Sequence, residues 1–227
     1  MNRAAAFFDL DRTFIRRSSA LALAGAFRKH GIISRRQLVK AAFWQLLFAK
    51  RGADERAVRE ATEGGLRLLR GLRPEEVEEL VRAALDRDLR PLVYPDALEL
   101  AKRHQTAGEP AYLVSATLQE IVAAVAAALE LDGSLGSICE VGPDGAFTGC
   151  VVRACHGAGK ADAVRHLAAS AEIDLDASTA YTDGLSDLPL LEAVGHPVAV
   201  NPDRELRRIA RERGWPVLDF SRRVARG

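Results

Sequence analysis

Two pairs of aspartates occur at spacings that could support chemistry on a phosphate ester. Asp9 and Asp11 follow the apolar run at residues 4–8, and Asp183 and Asp187 follow a predicted strand at residues 179–181. A carboxylate can attack phosphorus and form an acyl-phosphate. A second carboxylate can donate a proton to the leaving oxygen and then accept one from water. We therefore expect nucleophilic and acid–base chemistry where these acids meet.

The charge of this cluster implies a cation. Carboxylates that lie close together repel each other, and they also repel a phosphate group. A divalent cation removes both repulsions, and hard oxygen ligands favour Mg²⁺. Ser115 follows one predicted strand and Lys160 opens a predicted helix. A hydroxyl and an ammonium group are suited to holding phosphoryl oxygens.

The elements that must position these residues alternate along the second half of the chain. Strands followed by helices predict a mostly parallel sheet with helices on both faces. Functional groups of such sheets lie at the carboxyl ends of the strands. The predicted strands are residues 4–8, 111–114, 137–141, 147–152, 179–181, 198–200 and 216–218, and the predicted helices are 118–130, 160–169, 188–193 and 203–213.

A helical region separates the first strand from the rest of the sheet. Ser18 or Ser19 can cap a helix that runs to Lys29, further helices are predicted at residues 34–52 and 54–71, and Pro74 opens another. Pro91 and Pro95 are expected to interrupt the helical pattern. We predict a catalytic core at residues 1–15 and 91–227, and a helical cap domain at residues 16–90 that acts as a lid.

The ordered motifs resemble the haloacid dehalogenase (HAD) superfamily of phosphatases, and within it the phosphoserine-phosphatase-like subfamily IB. The similarity is carried by the Asp-x-Asp-x-Thr sequence at residues 9–13, by Val-Ser-Ala at 114–116, by Lys160, and by Asp-x-x-x-Asp at 183–187. The resemblance covers essentially the whole core. It implies a Rossmann-like α/β core with a helical cap inserted after the first strand.

The resemblance also implies a role for each residue. Asp9 is the expected nucleophile and Asp11 the general acid/base. Ser115 and Ala116 are expected to hold the phosphoryl group, Lys160 to neutralise it, and Thr13 to support the first loop. The expected Mg²⁺ ligands are Asp9, Asp11 through its carbonyl, Asp183, and Asp187 directly or through water. Gly184 stands where relatives often carry a serine, and Thr117 where they often carry a second serine.

The start of the cap bears on the substrate. Between Arg12 and Ala53 there are ten lysines or arginines and no acid. A basic lid would raise the local concentration of anions, and Arg16 and Arg17 are the predicted substrate contacts. Phosphoserine enzymes of this branch place a carboxylate in the early cap, which this chain lacks. We therefore expect a sugar, nucleotide or lysophospholipid phosphate in preference to phosphoserine. Contact of the basic stretch with an anionic membrane surface is an alternative.

The bulk properties agree with a small-molecule enzyme in the cytoplasm. The chain has 227 residues with a net charge of +1, so its overall charge does not predict nucleic-acid binding. No apolar stretch reaches the ~20 residues that span a bilayer. Three cysteines without paired spacing predict reduced thiols, although Cys139 and Cys150 flank a predicted hairpin and could face each other.

Three other functions remain open at this point. A phosphotransferase would pass the phosphoryl group from Asp9 to an alcohol. A signalling receiver would also use clustered acids, a hydroxyl and a lysine, although it lacks Asp-x-Asp-x-Thr. A non-catalytic protein could bind an anionic surface through the basic cap. The Gly-rich sequence before Lys160 does not fit a P-loop, because positions 154 and 161 are both alanine.

Overall fold

A mostly parallel sheet forms the centre of the molecule. The computed structural model describes residues 3–33, 64–65 and 67–220. Within them the sheet has seven strands: β1 (Ala6–Asp9), β2 (Ala111–Leu118), β3 (Gly133–Val141), β4 (Phe147–Arg153), β5 (Thr179–Thr182), β6 (His196–Val200) and β7 (Val217–Leu218). Their spatial order is β4-β3-β2-β1-β5-β6-β7, and only β3 and β4 are antiparallel.

Strand β1 occupies the middle of the sheet, and every one of its side chains is buried. Parallel strands covered on both faces carry continuous apolar runs rather than alternating ones. Phe8 lies opposite Leu113 of β2 on one side and Tyr181 of β5 on the other. This register brings the carboxyl end of β1, at Asp9, between the ends of its two neighbours.

Helices cover both faces of the sheet, as predicted. They are α1 (Ser19–Lys29), α2 (Pro74–Ala84), α3 (Pro95–Thr106), α4 (Gln119–Ala128), α5 (Ala158–Ala171), α6 (Leu188–Leu191) and α7 (Arg204–Arg213) in the described part of the chain. Phe8 joins one hydrophobic cluster with side chains of α1 to α4, and Phe7 joins another with side chains of α5, α6 and α7. Because neighbouring residues of a strand point to opposite faces, the two clusters lie on opposite sides of the sheet. The predicted α/β class is confirmed.

The described residues of the predicted cap pack onto the core. Helix α2 contacts α4, and Val77 and Val81 of α2 are fully buried in the same cluster as Phe8. The backbone of Phe147 exchanges hydrogen bonds with Gly71 and Leu72, at 2.9 and 2.8 Å. The helix predicted at 34–52 and most of that predicted at 54–71 lie outside the described residues. The division into core and cap stays a prediction.

The predicted cap, residues 16–90, is inserted between β1 and β2 and is called the inserted segment below. Its two connections to the core are hydrogen-bonded to each other. Ile15 forms an antiparallel bridge with Val93. The N–H of Arg16 donates to Leu92 O at 2.9 Å, and the N–H of Tyr94 donates to Phe14 O at 3.0 Å. The chain therefore leaves and re-enters the core as a short two-stranded ribbon beside the end of β1.

Several predicted boundaries were wrong. Pro95 begins α3 instead of interrupting a helix, because proline fits the first helical turn, where an N–H has no intrahelical acceptor. Strand β2 continues past Ser115 to Leu118, and β3 begins at Gly133, four residues earlier than predicted. Helix α5 begins at Ala158, two residues before Lys160. The start of α2 at Pro74 is confirmed.

The three cysteines are free, as predicted. Cys139 and Cys155 are buried and Cys150 is exposed, and the residue opposite Cys139 in the hairpin is Val151. Burial raises the pKa of the Cys139 and Cys155 thiols to about 11. Both are therefore poor nucleophiles near neutral pH. Within the described part of the chain, the structure contains no helix of the length and apolarity that crossing a membrane requires.

Candidate active site

The predicted site residues meet at the carboxyl edge of the sheet. Asp9 ends β1, Ser115 lies within β2, and Asp183 follows β5. Because β1 pairs with both β2 and β5, these three residues come from adjacent strands. Asp9, Ser115 and Asp183 are all buried. The strand ends therefore form a recessed polar site, as expected of parallel sheets.

Lys160 is the charged centre of this site. Its Nζ donates to Asp9 Oδ1 at 2.5 Å and to Asp187 Oδ2 at 2.7 Å. The side chain is only 3% exposed. Burial alone would lower the lysine pKa, but the two carboxylates outweigh burial and raise it. Lys160 therefore stays protonated and links the end of β1 to the loop after β5.

The position of Lys160 depends on a close backbone approach at the start of α5. A Cβ on Gly159 would lie 2.2 Å from Ala154 O, far inside van der Waals contact. Only glycine lets the helix begin this close to the preceding loop. The same turn is closed by the N–H of Gly159, which donates to His156 O at 2.9 Å.

Asp187 is held in place from two sides. Its Oδ2 accepts hydrogen bonds from Lys160 Nζ and from Thr182 Oγ1, both at 2.7 Å. Its N–H donates to Gly184 O at 3.1 Å and closes a tight turn. Thr182 was not among the predicted site residues, although it ends β5 directly before Asp183.

Asp183 faces Arg12. The Nε of Arg12 lies 3.0 Å from Asp183 Oδ2, and the Arg12 side chain is 59% exposed whereas that of Asp183 is 8% exposed. Arg12 has a φ of 65°, a left-handed conformation that is uncommon for a residue with a Cβ. No residue pattern predicts a role for Arg12, and only its place between Asp11 and Thr13 could have suggested one.

Asp203 fixes the loop that carries Asp183. Its N–H donates to Asp183 O at 2.8 Å, and its Oδ2 accepts from Leu185 N at 3.0 Å. Its Oδ1 accepts from Leu206 N at 2.8 Å and caps α7. The sequence predicts a helix from Asp203, but no pattern in it connects this cap with the site.

Asp11 is anchored to the first helix of the inserted segment. The N–H of Ser19 donates to Asp11 Oδ1 at 2.7 Å. Ser19 is fully buried, and its Oγ lies 3.2 Å from Thr117 Oγ1. Ser19 was predicted only as a possible helix cap, and its contact with Asp11 was missed.

Hydrogen bonds also fix the part of β2 around Ser115. The N–H of Thr117 donates to Ser115 Oγ at 3.2 Å. Ser137 Oγ donates to Ala116 O at 2.7 Å and accepts from Cys155 N at 3.0 Å. This end of β2 is thereby connected to the chain that leads into α5 and Lys160.

Burial dominates the electrostatics of the acids. It raises the pKa of Asp9 to about 7, although Lys160 acts in the opposite direction. Burial also raises the pKa of Asp11 against the hydrogen bonds from Ser19, and raises that of Asp183 well above its usual range against the charge of Arg12. A buried carboxylate whose charge is only partly balanced favours either a proton or a cation.

The donor set fits a small cation with few protein ligands. Among the described residues, no three acidic, histidine or cysteine side chains are arranged as a metal-binding group. The contacts described above engage one oxygen of each carboxylate: Oδ1 of Asp9, Oδ2 of Asp183 and Oδ2 of Asp187. Mg²⁺ commonly takes one or two carboxylates and keeps several waters. Asp9, Asp183 and the Asp11 carbonyl fit that requirement, and Asp187 fits either a direct ligand or a group that holds a bound water.

The remaining predicted residues lie around this centre. Thr13 is fully buried, and its Oγ1 has no hydrogen-bond partner in the described part of the chain. Arg16 lies over the ring of Tyr94, with its guanidinium carbon 5.5 Å from the ring centroid. Arg17 is exposed. Substrate contact by Arg16 and Arg17 stays a prediction.

Comparison with known proteins places the chain in a family. The model of haloacid dehalogenase-like hydrolases matches residues 6–192. The chain therefore belongs to the haloacid dehalogenase-like hydrolase family, which confirms the resemblance seen in its motifs. The predicted enzyme class, a hydrolase of phosphoric monoesters, is consistent with this family and with the names of its relatives.

Relatives resemble nearly the entire chain. It is 42% identical over 222 residues to the inhibition of morphological differentiation protein of Streptomyces azureus, covering 98% of this chain and 80% of that protein. It is 41% identical over 223 residues to a protein of Mycobacterium tuberculosis named probable phosphatase, covering 98% and 77%. A phosphoserine phosphatase of the same species is 36% identical over 225 residues, covering 98% and 72%.

Solved structures share the fold. A crystal structure of a protein of unknown function from Bordetella pertussis Tohama I has a TM-score of 0.82 at 29% identity, covering 97% of this chain and all of that one. A phosphoserine phosphatase solved as a phospho-aspartyl intermediate analogue has a TM-score of 0.64 at 19% identity, covering 98% and 95%. At that identity the second likeness supports the fold alone.

Proposed function

We propose that this chain is a Mg²⁺-dependent phosphomonoester hydrolase that forms a phospho-aspartate on Asp9, with Asp11 as general acid and base. The observation that carries the proposal is the buried bridge from Lys160 to Asp9 and Asp187. A protonated lysine beside a nucleophilic carboxylate offsets the charge that a phosphoryl group would bring. Family membership supports the reaction class.

In the first step, a carboxylate oxygen of Asp9 bonds to phosphorus as the bond to the leaving oxygen breaks. Asp11 gives its proton to that oxygen, and the alcohol departs. The raised pKa of Asp11 favours a carboxyl that carries this proton. The N–H of Ser19 donates to Asp11 Oδ1 and thereby fixes the orientation of the carboxyl that transfers the proton.

In the second step, Asp11 takes a proton from water, and the water oxygen bonds to phosphorus. The bond from phosphorus to Asp9 breaks, which releases phosphate and restores both carboxyl groups. Throughout, Lys160, the Ser115 hydroxyl and the backbone at Ala116 are the groups proposed to hold the phosphoryl oxygens. Their positions on adjacent elements support this assignment.

Mg²⁺, when bound, would neutralise part of the negative charge shared by the carboxylates and the phosphoryl group. The residues proposed to hold it are Asp9, Asp183 and the carbonyl of Asp11, with Asp187 holding a water or binding directly. Asp203 supports that arrangement because it fixes the loop of Asp183 on both sides. The buried side chain of Thr13 is proposed to support the loop that carries Asp9 and Asp11.

We propose a small phosphomonoester as the substrate. Arg12, Arg16 and Arg17 lie between Asp11 and the first helix of the insert and are exposed, which favours an anionic or polar leaving group such as that of a sugar or nucleotide phosphate. One relative is named phosphoserine phosphatase, but no acid lies between Asp11 and Asp54 to meet an amine. A lysophospholipid phosphate is also compatible with the lack of an acid between Asp11 and Asp54. We infer a cytoplasmic enzyme that acts on soluble substrates.

The proposed intermediate can be tested by trapping it. Protein turning over a ³²P-labelled aryl phosphate with Mg²⁺ is quenched in acid and digested. We expect label on the peptide that contains Asp9, and its loss on treatment with hydroxylamine, which cleaves acyl-phosphates. Label on any other residue, or none during active turnover, would contradict the phospho-aspartate.

A further inference from the structure

A pair of hydroxyls, one fully buried (Ser19) and one half-buried (Thr117), connects the inserted segment with the core beside the site. Ser19 is the first residue of α1 and is fully buried. Its Oγ lies 3.2 Å from Thr117 Oγ1, and the N–H of Thr117 donates to Ser115 Oγ at 3.2 Å. The N–H of Ser19 donates to Asp11 Oδ1 at 2.7 Å. One path of hydrogen bonds therefore runs from Asp11 through Ser19 and Thr117 to Ser115.

We propose that Ser19 and Thr117 are positioning residues that fix the Asp11 carboxylate relative to the Ser115 hydroxyl. This inference rests on the proposed function, in which Asp11 moves the proton and Ser115 holds the phosphoryl group. Both groups must meet the same phosphoryl group at the same time. A displacement of about 1 Å can lower a rate by about 100-fold, so the distance between them matters for the reaction.

The hydroxyl pair is suited to this role because of where its members lie. Ser19 belongs to α1, which packs against α2 of the inserted segment, whereas Thr117 belongs to strand β2 of the sheet. The two residues are 98 positions apart in the chain. Because Ser19 is fully buried and a buried hydroxyl is unfavourable without a partner, the Ser19 hydroxyl favours the arrangement in which both segments are correctly placed.

The backbone hydrogen bonds at the two ends of the path allow the contact between the hydroxyls to be tested by side-chain substitution. Replacing Ser19 by alanine keeps the main-chain N–H that meets Asp11 and removes the hydroxyl, which contacts Thr117 and also hydrogen-bonds Asp11. Replacing Thr117 by valine likewise keeps the N–H that meets Ser115. Both variants therefore break the contact between the two hydroxyls and leave the two backbone hydrogen bonds in place.

The test measures Mg²⁺-dependent hydrolysis of para-nitrophenyl phosphate by wild type, Ser19→Ala, Thr117→Val and the double variant. We expect each single variant to lower kcat about 10-fold with KM changed less than twofold, since the lost contact acts on placement. The double variant should lose about 10-fold and not about 100-fold, because both changes break one interaction. Ser19→Thr and Thr117→Ser keep the hydroxyls and should stay within threefold of wild type.

Ser18→Ala is the matched control. Ser18 precedes Ser19, and its side chain makes no capping hydrogen bond, so kcat should not change. Tm and circular dichroism establish that every variant is folded. The proposal is overturned if wild type is active and Ser19→Ala keeps kcat within twofold, or if the single losses multiply in the double variant. A wild type without Mg²⁺-dependent release rejects the proposed function itself, and this inference with it.

Discussion

At the scale of single residues, the site is a set of acids with too little positive charge. Asp9, Asp183 and Asp187 contact two cations, Lys160 and Arg12, and Asp11 adds a fourth acid that acts on Asp9. Burial strengthens this imbalance and raises the pKa of Asp9, Asp11 and Asp183. Such a site is less stable than a neutral one, which is the usual trade between activity and stability.

The role of Lys160 leads to a first prediction. Lys160→Met removes the ammonium that holds Asp9 and Asp187 and leaves two buried carboxylates facing each other. We expect kcat/KM to fall at least about 100-fold and stability to fall by about 3 kcal/mol. Steady-state kinetics and urea unfolding measure the two effects. The control is Lys102→Met on the exposed face of α3, which should behave as wild type; equal losses in both variants would refute the assigned role.

The raised pKa of Asp9 leads to a second prediction, for metal-free protein. Its ordinary value is 3.8 and burial raises the pKa to about 7, so the folded state binds this proton more tightly than the unfolded state. Wild-type stability should therefore fall as the pH rises from about 4 to about 7. The Asp9→Asn variant has no titrating carboxyl at this position, so its stability should not show this fall.

Thermal unfolding in EDTA tests this. Asp9→Asn should have a Tm about 3 °C or more above wild type at pH 8, and the difference should shrink at pH 5, where Asp9 of the folded wild type is protonated. A variant that is less stable than wild type at pH 8, or a difference that grows on acidification, would show that Lys160 outweighs burial.

At the scale of elements, the strand–helix alternation was enough to predict most of the core. Buried apolar runs identified β1, β2 and β5, and the turn at residues 142–145 identified the hairpin. Pro95 was misjudged because a proline marks both helix starts and helix breaks, and only tertiary packing distinguishes them. The early start of β3 was missed because residues 133–136 include two glycines, which have low strand propensity.

The start of α5 gives an element-scale prediction. Gly159→Ala places a Cβ against Ala154 O and must shift the first turn of the helix, which carries Lys160. We expect kcat to fall at least 10-fold together with a lower Tm. Ser170→Ala, an exposed position near the end of the same helix, should change neither by a measurable amount. Normal activity in Gly159→Ala would mean that the close approach does not position Lys160.

At the scale of the whole molecule, the sheet and the chain order explain why distant motifs meet. Asp9 and Lys160 are 151 residues apart, and they come together because β1 lies between β2 and β5. Motif order and resemblance were sufficient to predict Asp9, Ser115, Lys160 and Asp183 as neighbours. The contacts of Arg12, Ser19 and Asp203 were not predictable, because they depend on how loops fold over the sheet edge rather than on any residue pattern.

The inserted segment is the part of the molecule that the sequence described least well. Its described helices pack into the same hydrophobic cluster as the core, and its two connections form the ribbon at Ile15 and Val93. The basic first half of this segment is the basis of the substrate preference proposed above. A panel of sugar, nucleotide and amino-acid phosphomonoesters can rank the candidate substrates.

The central claim is that Asp9 performs Mg²⁺-dependent phosphoester hydrolysis. The most direct measurement is phosphate release from para-nitrophenyl phosphate by wild type and Asp9→Asn, each with Mg²⁺ and with EDTA. We expect release by wild type only when Mg²⁺ is present, and a loss of at least about 1,000-fold in the variant, because no acyl-phosphate can form on an amide. Release by wild type that is unaffected by EDTA, or activity retained by a folded Asp9→Asn variant, would contradict the account.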